Sequence, residues 1–184
     1  MRNKVRIIAG HHRHRLIDFP SIENLRPTAD RVRETLFNWL MPYIQDANCL
    51  DCFAGSGILG FEALSRGASN VTFIDGARAA IDSIRENAVK LDLTNYQAIM
   101  ANQPAALGQC KQPFDIIFLD PPYHSSLMQT ILTEILTRKL LKEGGLIYLE
   151  EAADDVIEIP ADFVEHKAAK TKHISYRLIK KSLS

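Results

Sequence analysis

The stretch ANCLDCFAGSGILGFEALSRG, residues 47–67, joins an apolar run to an amphipathic run through a loop rich in glycine. The first seven letters predict a strand, and ILGFEALSRG predicts a helix that ends at Gly67. Asp51 closes the strand just before Gly55 and Gly57. A strand, a glycine turn and a helix in this order are typical of an α/β unit with parallel strands.

The rest of the chain continues this alternation. Further strands are predicted in NVTFID, YQAIMA, FDIIFLD and LIYLE. Helices are predicted in ARAAIDSIRENAVKL and in SLMQTILTEILTRKLL, the second stopped by Gly144 and Gly145. DFVEHKAAK and HISYRLIKK have no helix between them, which favours an antiparallel hairpin at one edge of the sheet. We therefore predict an α/β fold with a mostly parallel seven-stranded sheet and helices on both faces.

The N-terminal region has a pattern of its own. KVRIIA and HRLIDF flank GHHR, which predicts a β-hairpin extension over residues 1–24, followed by the α/β domain over residues 25–184. The segment LRPTADRVRETLFNWLM predicts a helix with Thr28 as its N-cap. Because the hairpin lies outside the predicted sheet, we expect residues 1–15 to be removable without loss of the folded core.

Composition narrows the class of protein. The chain is 184 residues long, 46% hydrophobic and 24% charged, which is typical of one globular domain. It shows neither an apolar run of the ~18 residues that a membrane helix needs nor a secretory signal. Three cysteines make a disulfide framework improbable. We expect a cytoplasmic protein with no membrane contact.

Charge is segregated along the chain. Residues 1–17 and residues 166–184 hold Lys and Arg but no acid, so all 22 acidic residues lie between them. Basic ends of this kind favour a surface for a polyanion, although plain solvated tails remain an alternative. The candidate contacts are Arg2, Lys4, Arg6, Arg13 and Arg15. The nearby histidines His11, His12 and His14 stand among arginines without Cys or acid, so we predict no metal site.

Four polar residues follow predicted strands: Asp51, Asp75, Asn102 and Asp120. In a parallel sheet these ends meet at one edge, where ligands bind. The glycine loop alone suggests a dinucleotide, but Asp51 would repel a pyrophosphate. A cationic cofactor without phosphate, S-adenosylmethionine, fits the acid better. Asp75 can then accept from the ribose hydroxyls, and Asn102 can read the adenine edge.

The stretch FDIIFLDPPYH places Asp120, Pro121, Pro122 and Tyr123 at the end of a strand. Two prolines make a stiff bend whose carbonyls remain free acceptors. Together with the Asp120 carboxylate they can hold both N–H groups of an amine attached to a ring, and Tyr123 can stack on that ring. A structural turn with an exposed tyrosine is the alternative.

DCFAGSG, FID and DPPY resemble the motifs of class I S-adenosylmethionine-dependent methyltransferases that modify exocyclic amines. Together with RIIAG and LRPTADRVRETLFNWL, they resemble the bacterial family that methylates a guanine N2 in 16S ribosomal RNA. The resemblance runs from about Arg6 to Lys180. It implies a Rossmann-like methyltransferase fold with an N-terminal hairpin. It departs from the family pattern at His14, Asp75, Gln103 and Pro104.

The resemblance also assigns roles to residues. It implies a catalytic loop at Asp120, Pro121, Pro122 and Tyr123. It implies cofactor contacts at Asp51, Phe53, Ala54, Gly55, Gly57, Asp75, Asn102 and Asp120. Thr28 and Arg33 fall in the family's additional motif, Thr28 as a cofactor contact and Arg33 as an RNA contact.

The function that this resemblance implies is methyl transfer from S-adenosylmethionine to a guanine N2 of 16S ribosomal RNA, free or within the small subunit. The residues alone leave two alternatives open. One is a DNA or RNA adenine or cytosine amino-methyltransferase, and the other is an RNA-binding protein that performs no chemistry.

Overall fold

The computed structural model of the chain describes residues 2–21, 28–121, 127–155 and 157–182. Pro122 and Tyr123 of the predicted catalytic loop lie outside these ranges. The predicted boundary between residues 24 and 25 also lies outside them.

A seven-stranded sheet forms the centre of the molecule, with the strand order β5-β4-β3-β6-β7-β9-β8. Neighbouring strands from β5 to β7 run parallel, whereas β9 pairs antiparallel with both β7 and β8. The strands are β3 Asn48–Asp51, β4 Asn70–Asp75, β5 Tyr96–Met100, β6 Phe114–Leu119, β7 Leu141–Ala152, β8 Phe163–Lys170 and β9 Ile174–Lys181. The predicted α/β class, the parallel sheet and the terminal edge hairpin are therefore confirmed.

Helices cover both faces of this sheet. The helices are α1 Asp30–Leu40, α2 Ile58–Ser65, α3 Arg78–Lys90 and α4 Leu127–Thr137, with a short 3-10 helix at Ala105–Gln109. One core cluster contains the apolar side chains of α1, α2 and α3, and the other contains those of α4 and the 3-10 helix. No helix in the described ranges combines the length and apolar character of a membrane span.

The N-terminal residues form the predicted hairpin from β1 Arg2–Arg6 and β2 Leu16–Pro20, a sheet of its own. It is nevertheless part of the main core, because Val5, Ile7 and Ile17 pack in the same cluster as α1 and α2. Burial of such side chains contributes about 1.5–3 kcal/mol each. The expectation that residues 1–15 can be removed without loss of the core is therefore wrong.

A buried acid fastens the hairpin to α2. Glu62, which is 0% exposed, accepts hydrogen bonds from the backbone N–H groups of Ile8 at 2.9 Å and Ala9 at 3.0 Å. Arg66 donates to Glu62 Oε1 at 2.8 Å, the same oxygen that accepts from Ala9. Gly10 adopts φ +85° directly against Ser65, and a Cβ at residue 10 would overlap the Ser65 carbonyl. The hairpin therefore meets α2 by backbone contact and hydrogen bonds as well as by apolar packing.

Two local predictions are wrong. Thr28 is not an N-cap, because α1 begins one residue later than predicted, with Ala29 at the cap position and no capping side chain. The second predicted helix also extends too far. Helix α4 ends at Thr137, Lys139 turns the chain at φ 54°, and β7 already begins at Leu141. The apolar residues that follow Lys139 extend the strand instead of the helix.

Candidate active site

The predicted strand-end residues lie on one edge of the sheet. Asp51 and Asp75 are the last residues of β3 and β4, and Asp120 directly follows β6. Asn102 follows β5 by two residues. Since β3 lies between β4 and β6 in the parallel sheet, all these ends point the same way. Parallel pairing of these strands thus brings together four residues that are far apart in the sequence.

The glycine loop connects β3 to α2 at the centre of this edge. Gly55 has φ +51° and Gly57 has φ +76°, values that favour glycine. The N–H of Gly55 donates to Asp75 Oδ2 at 2.8 Å, and the N–H of Ala54 donates to the Ile74 carbonyl at 2.9 Å. The loop is therefore tied to β4, with Ala54 buried and Phe53 half-buried beneath it.

Asp51 lies at the base of the loop and is 2% exposed. Its Oδ2 accepts a hydrogen bond from the N–H of Gly60 at 3.3 Å. Burial, reinforced by the charge of Asp75 and opposed by backbone hydrogen bonds, raises the pKa of Asp51 to about 7. A buried carboxyl of this kind is stabilised as an anion when a cation is placed beside it.

Asp75 and Asn102 border the other side of the loop. Besides Gly55, Asp75 accepts from the N–H of Ala77 at 2.7 Å, so each of its carboxylate oxygens is oriented by one backbone N–H. Asn102 is exposed, and its side-chain oxygen lies so close to Gly76 that a Cβ there would overlap it. Each Asp75 oxygen retains a lone pair for a ligand hydroxyl, and the exposed Asn102 amide is free for a ligand edge.

Asp120 stands on the opposite side of Asp51 from Asp75. Its Oδ2 accepts a hydrogen bond from the Thr28 hydroxyl at 3.2 Å, and the following residue, Pro121, is buried. Burial, followed by the negative charges of Glu150 and Asp51, raises the pKa of Asp120 well above its usual range, and the Thr28 hydrogen bond opposes the shift. Thr28, predicted as a cofactor contact, contacts Asp120 directly.

The charge at this edge distinguishes between cofactor classes. Across the described ranges, Asp51, Asp75 and Asp120 form no salt bridge with Lys or Arg. Three carboxyls gathered at one edge would repel a pyrophosphate and attract a cation. The residues present therefore fit S-adenosylmethionine, which carries a positive sulfur and an ammonium group and has no phosphate.

The predicted RNA contact at Arg33 is wrong. Arg33 lies on α1 with 0% exposure, so phosphates cannot reach it. Its guanidinium donates to the carbonyls of Thr28 at 3.1 Å and Arg6 at 3.0 Å, to Asp30 at 2.6 Å and to Glu62 at 3.5 Å. Arg33 thus joins the hairpin, α1 and α2, and it fixes the backbone of Thr28 beside Asp120.

The other predicted RNA contacts lie in two parts of the hairpin, its first strand and its turn. Lys4 and Arg6 are exposed on β1, and the structure gives no side-chain description of Arg2. Arg13 and Arg15 are exposed in the turn, which contacts Ser65 at the end of α2. That end of the molecule is opposite the glycine loop, where α2 begins. The histidines of the turn join no group of three potential metal ligands within the described ranges.

Comparison with known proteins gives the family. The model of the family described as "Conserved hypothetical protein 95" matches residues 5–180. The chain belongs to this family. The matched region contains all of the edge residues described above.

Bacterial relatives cover nearly the same length. The chain is 44% identical to ribosomal RNA small subunit methyltransferase D of Haemophilus influenzae, over 96% of this chain and 94% of that protein. It is 41% identical to the Escherichia coli protein of the same name, over 95% of this chain and 89% of that protein. The solved structure of Escherichia coli yhhF, described as a methyltransferase, superposes with a TM-score of 0.89 at 39% identity, covering 99% of this chain and 100% of that one.

Two residues of this family member escaped the sequence prediction. Glu150 and Tyr148 lie on β7 next to β6, and Tyr148 donates to Glu150 Oε2 at 2.7 Å. Glu150 is 3% exposed although it was expected only as the end of an apolar strand. One sequence feature could have predicted this position. Glu150 is an acid at the end of the apolar strand LIYLE, just as Asp120 is an acid at the end of FDIIFLD.

Proposed function

We propose that this chain transfers a methyl group from S-adenosylmethionine to the exocyclic N2 of a guanine in 16S ribosomal RNA. The observation that carries the proposal is the adjacency of two strand ends. Asp51 ends β3 at the glycine loop, and Asp120 with Pro121 follows the neighbouring strand β6. A cofactor held at the first end faces an amine held at the second. The relatives named as small-subunit ribosomal RNA methyltransferases support the choice of substrate.

The cofactor half of the site rests on Asp51, Asp75 and the glycine loop. S-adenosylmethionine supplies a methyl group on a positively charged sulfur. Asp51 attracts the cationic end of the cofactor, and the absence of Cβ atoms at Gly55 and Gly57 lets the backbone approach it. Asp75, oriented by Gly55 and Ala77, accepts from the ribose hydroxyls. Asn102 hydrogen-bonds the adenine edge.

The amine half of the site rests on Asp120 and Pro121. An amine conjugated to a ring is a weak nucleophile because its lone pair is delocalised. The Asp120 carboxylate and the Pro121 carbonyl accept its two N–H groups and direct the remaining lone pair toward the methyl group. Thr28 orients the Asp120 carboxylate through the 3.2 Å hydrogen bond. Pro122 and Tyr123 complete the proposed loop: a proline ring restricts φ, and a tyrosine ring is suited to stack on the guanine.

Proton release needs no strong base. As the nitrogen–carbon bond forms, the carbon–sulfur bond breaks and its electron pair goes to sulfur, which would leave as a neutral thioether. The nitrogen becomes positively charged and its remaining N–H groups become acidic. One N–H bond then breaks, its electron pair returns to nitrogen, and the proton leaves late along the hydrogen bond that Asp120 already accepts. The role of Asp120 is therefore first that of an acceptor and only afterwards that of a route for the proton.

The RNA-binding surface is proposed to include the hairpin residues Arg2, Lys4, Arg6, Arg13 and Arg15. Helix α1, with 11 residues, runs from beside Asp120 toward the turn and is about 16 Å long. RNA that contacts Arg13 while its guanine reaches Asp120 must therefore contact more than one part of the protein surface. A large folded RNA, free or in the small subunit, meets that requirement. We place the reaction in the cytoplasm, where such RNA is assembled.

Mass mapping of 16S ribosomal RNA tests this function. RNA from a strain that lacks the gene should miss one methyl group on a guanine, and the purified protein with S-adenosylmethionine should restore it at N2. Free RNA and isolated small subunits are assayed side by side to decide which form is the substrate. A restored methyl on adenine or cytosine would favour the amino-methyltransferase alternative. No restored methyl in either form would contradict the proposal.

A further inference from the structure

Glu150 is a buried carboxyl that the reaction described above leaves without a role. It lies on β7 and is 3% exposed. The Tyr148 hydroxyl donates to its Oε2 at 2.7 Å. Burial of a carboxylate is costly, so a position of this kind calls for a compensating function or for a retained proton.

The pairing of β6 with β7 places Glu150 beside Asp120. The two strands are parallel, with Phe118 opposite Tyr148 and Leu119 opposite Leu149. Asp120 and Glu150 each follow the last of these pairs by one residue. Neighbouring strands lie about 5 Å apart and side chains alternate between faces. The two carboxyls therefore share the face of Phe118 and Tyr148, in adjacent positions.

The groups around this pair come from four elements. Asp51 faces it from β3, and Tyr148 faces it from β7 itself. Tyr176 of β9 lies opposite Glu150 in register. Thr28, just before α1, donates to Asp120. Among the described residues, the titratable groups named here that face the pair are thus a third acid and two tyrosines.

Two carboxyls in adjacent positions of neighbouring strands, one half-buried at Asp120 and one 3% exposed at Glu150, do not ionise independently. Burial and then the charge of Glu150 are the largest causes that raise the pKa of Asp120. Such a pair retains one proton over a pH range in which isolated acids are fully ionised. Protonated Asp120 offers an O–H donor to the amine, and only ionised Asp120 accepts through both oxygens.

We propose that Glu150, oriented by Tyr148, is a positioning residue that shares a proton with Asp120 and thereby sets the pH at which Asp120 becomes the amine acceptor. The inference rests on the proposed function, because it assigns Glu150 to the acceptor site of that reaction. No atom of Glu150 needs to contact the substrate.

The pH dependence of kcat/KM for methylation of 16S ribosomal RNA tests the inference. Wild-type activity should rise with pH as the pair loses its shared proton. In Glu150→Gln one like charge is gone, so the rising limb should move to lower pH by about one unit or more. Glu143→Gln is the matched control, since Glu143 lies on the same strand, is bound to Lys181 and is remote from Asp120. An E150Q profile that overlays wild type and E143Q would overturn the inference.

A second measurement needs neither activity nor a folded E150Q variant. Carbon-13 NMR titration follows the side-chain carboxyl of Glu150 in wild-type protein and in Asp120→Asn. Proton sharing predicts a lower midpoint for Glu150 in D120N, because the coupling of two sites is reciprocal. An unchanged midpoint would overturn the inference. If wild-type protein methylates no RNA, the proposed function fails, and this titration still decides the proton sharing.

Discussion

The Thr28 hydroxyl donates a hydrogen bond to Asp120 Oδ2 at 3.2 Å, across 92 positions of sequence. Thr28 is 6% exposed, and its own carbonyl accepts from the buried Arg33 guanidinium at 3.1 Å. The segment before α1 therefore contacts the acid of the proposed catalytic loop, and the hairpin contacts that segment through Arg33.

Replacing Thr28 with Val should slow methyl transfer, while Ser should preserve it. The hydrogen bond to Asp120 orients the carboxylate and stabilises its charged form, and such bonds contribute about 1.5–3 kcal/mol, or roughly 10–100-fold in rate. Single-turnover assays at saturating S-adenosylmethionine measure the effect. Equal rates for T28V and wild type would show that the bond has no part in the reaction.

The stability of the ligand-free protein should fall as pH rises from about 4 to about 7. The pKa of Asp51 is about 7 in the folded protein against an ordinary 3.8, so the folded state binds the proton more tightly. Its contribution is fully present below the ordinary value and is lost as pH approaches the folded value. Asp51→Asn should make the decline in Tm shallower over this window. A decline as steep in D51N as in wild type would contradict the assignment.

The cofactor should reverse this loss. S-adenosylmethionine should bind more tightly at pH 7.5 than at pH 6, because its positive charge favours ionised Asp51. D51N should bind it more weakly and with less pH dependence. Calorimetry with NAD as the comparison ligand is the measurement. Tight binding of NAD without binding of S-adenosylmethionine would exclude the proposed cofactor.

Removal of residues 1–15 should destabilise the whole domain. The deletion uncovers Ile17 and Phe19 in the main core and takes two backbone donors from buried Glu62. Loss of partners from a buried charge costs about 3–5 kcal/mol. Denaturant unfolding of Glu62→Ala measures how much of this loss in unfolding free energy comes from the contacts of Glu62. Glu34→Ala, an exposed change on α1, is the control. A deletion variant as stable as wild type would mean that the hairpin is an independent appendage.

Neutralising Arg13 and Arg15 together should weaken RNA binding without changing cofactor binding. Each lost phosphate contact should make the slope of log affinity against log salt shallower by roughly 0.7–0.9. R13Q/R15Q is compared with Lys111→Gln, an exposed change in the loop before β6. An unchanged affinity and slope would show that the basic turn is only solvated.

The edge residues could be predicted because they depend on local patterns. An acid that ends an apolar strand, followed by glycines or prolines, marks the edge of a parallel sheet, and Asp51, Asp75 and Asp120 are where that pattern predicts. The parallel sheet and the antiparallel terminal hairpin followed from the order of predicted strands and helices. One exception was the end of α4, where the apolar residues after Lys139 suit a helix or a strand equally well.

Contacts between distant segments could not be predicted. Arg33 occupies a helix in which a charge normally faces water, and only the fold shows that Glu62 and the Arg6 carbonyl enclose it. The hairpin was expected to be separable because its own sheet is separate, yet its apolar face completes the core. Glu150 resembled an ordinary strand end until the pairing of β6 with β7 placed it beside Asp120.

The most direct measurement of the central claim follows an isotope-labelled methyl group from S-adenosylmethionine into 16S ribosomal RNA. Wild-type protein should place one label on a guanine N2. Asp120→Asn, which keeps a carbonyl acceptor, should retain partial activity, and Asp120→Ala should lose far more, with cofactor binding little changed in both. Label on another base, or undiminished labelling by D120A, would contradict the account.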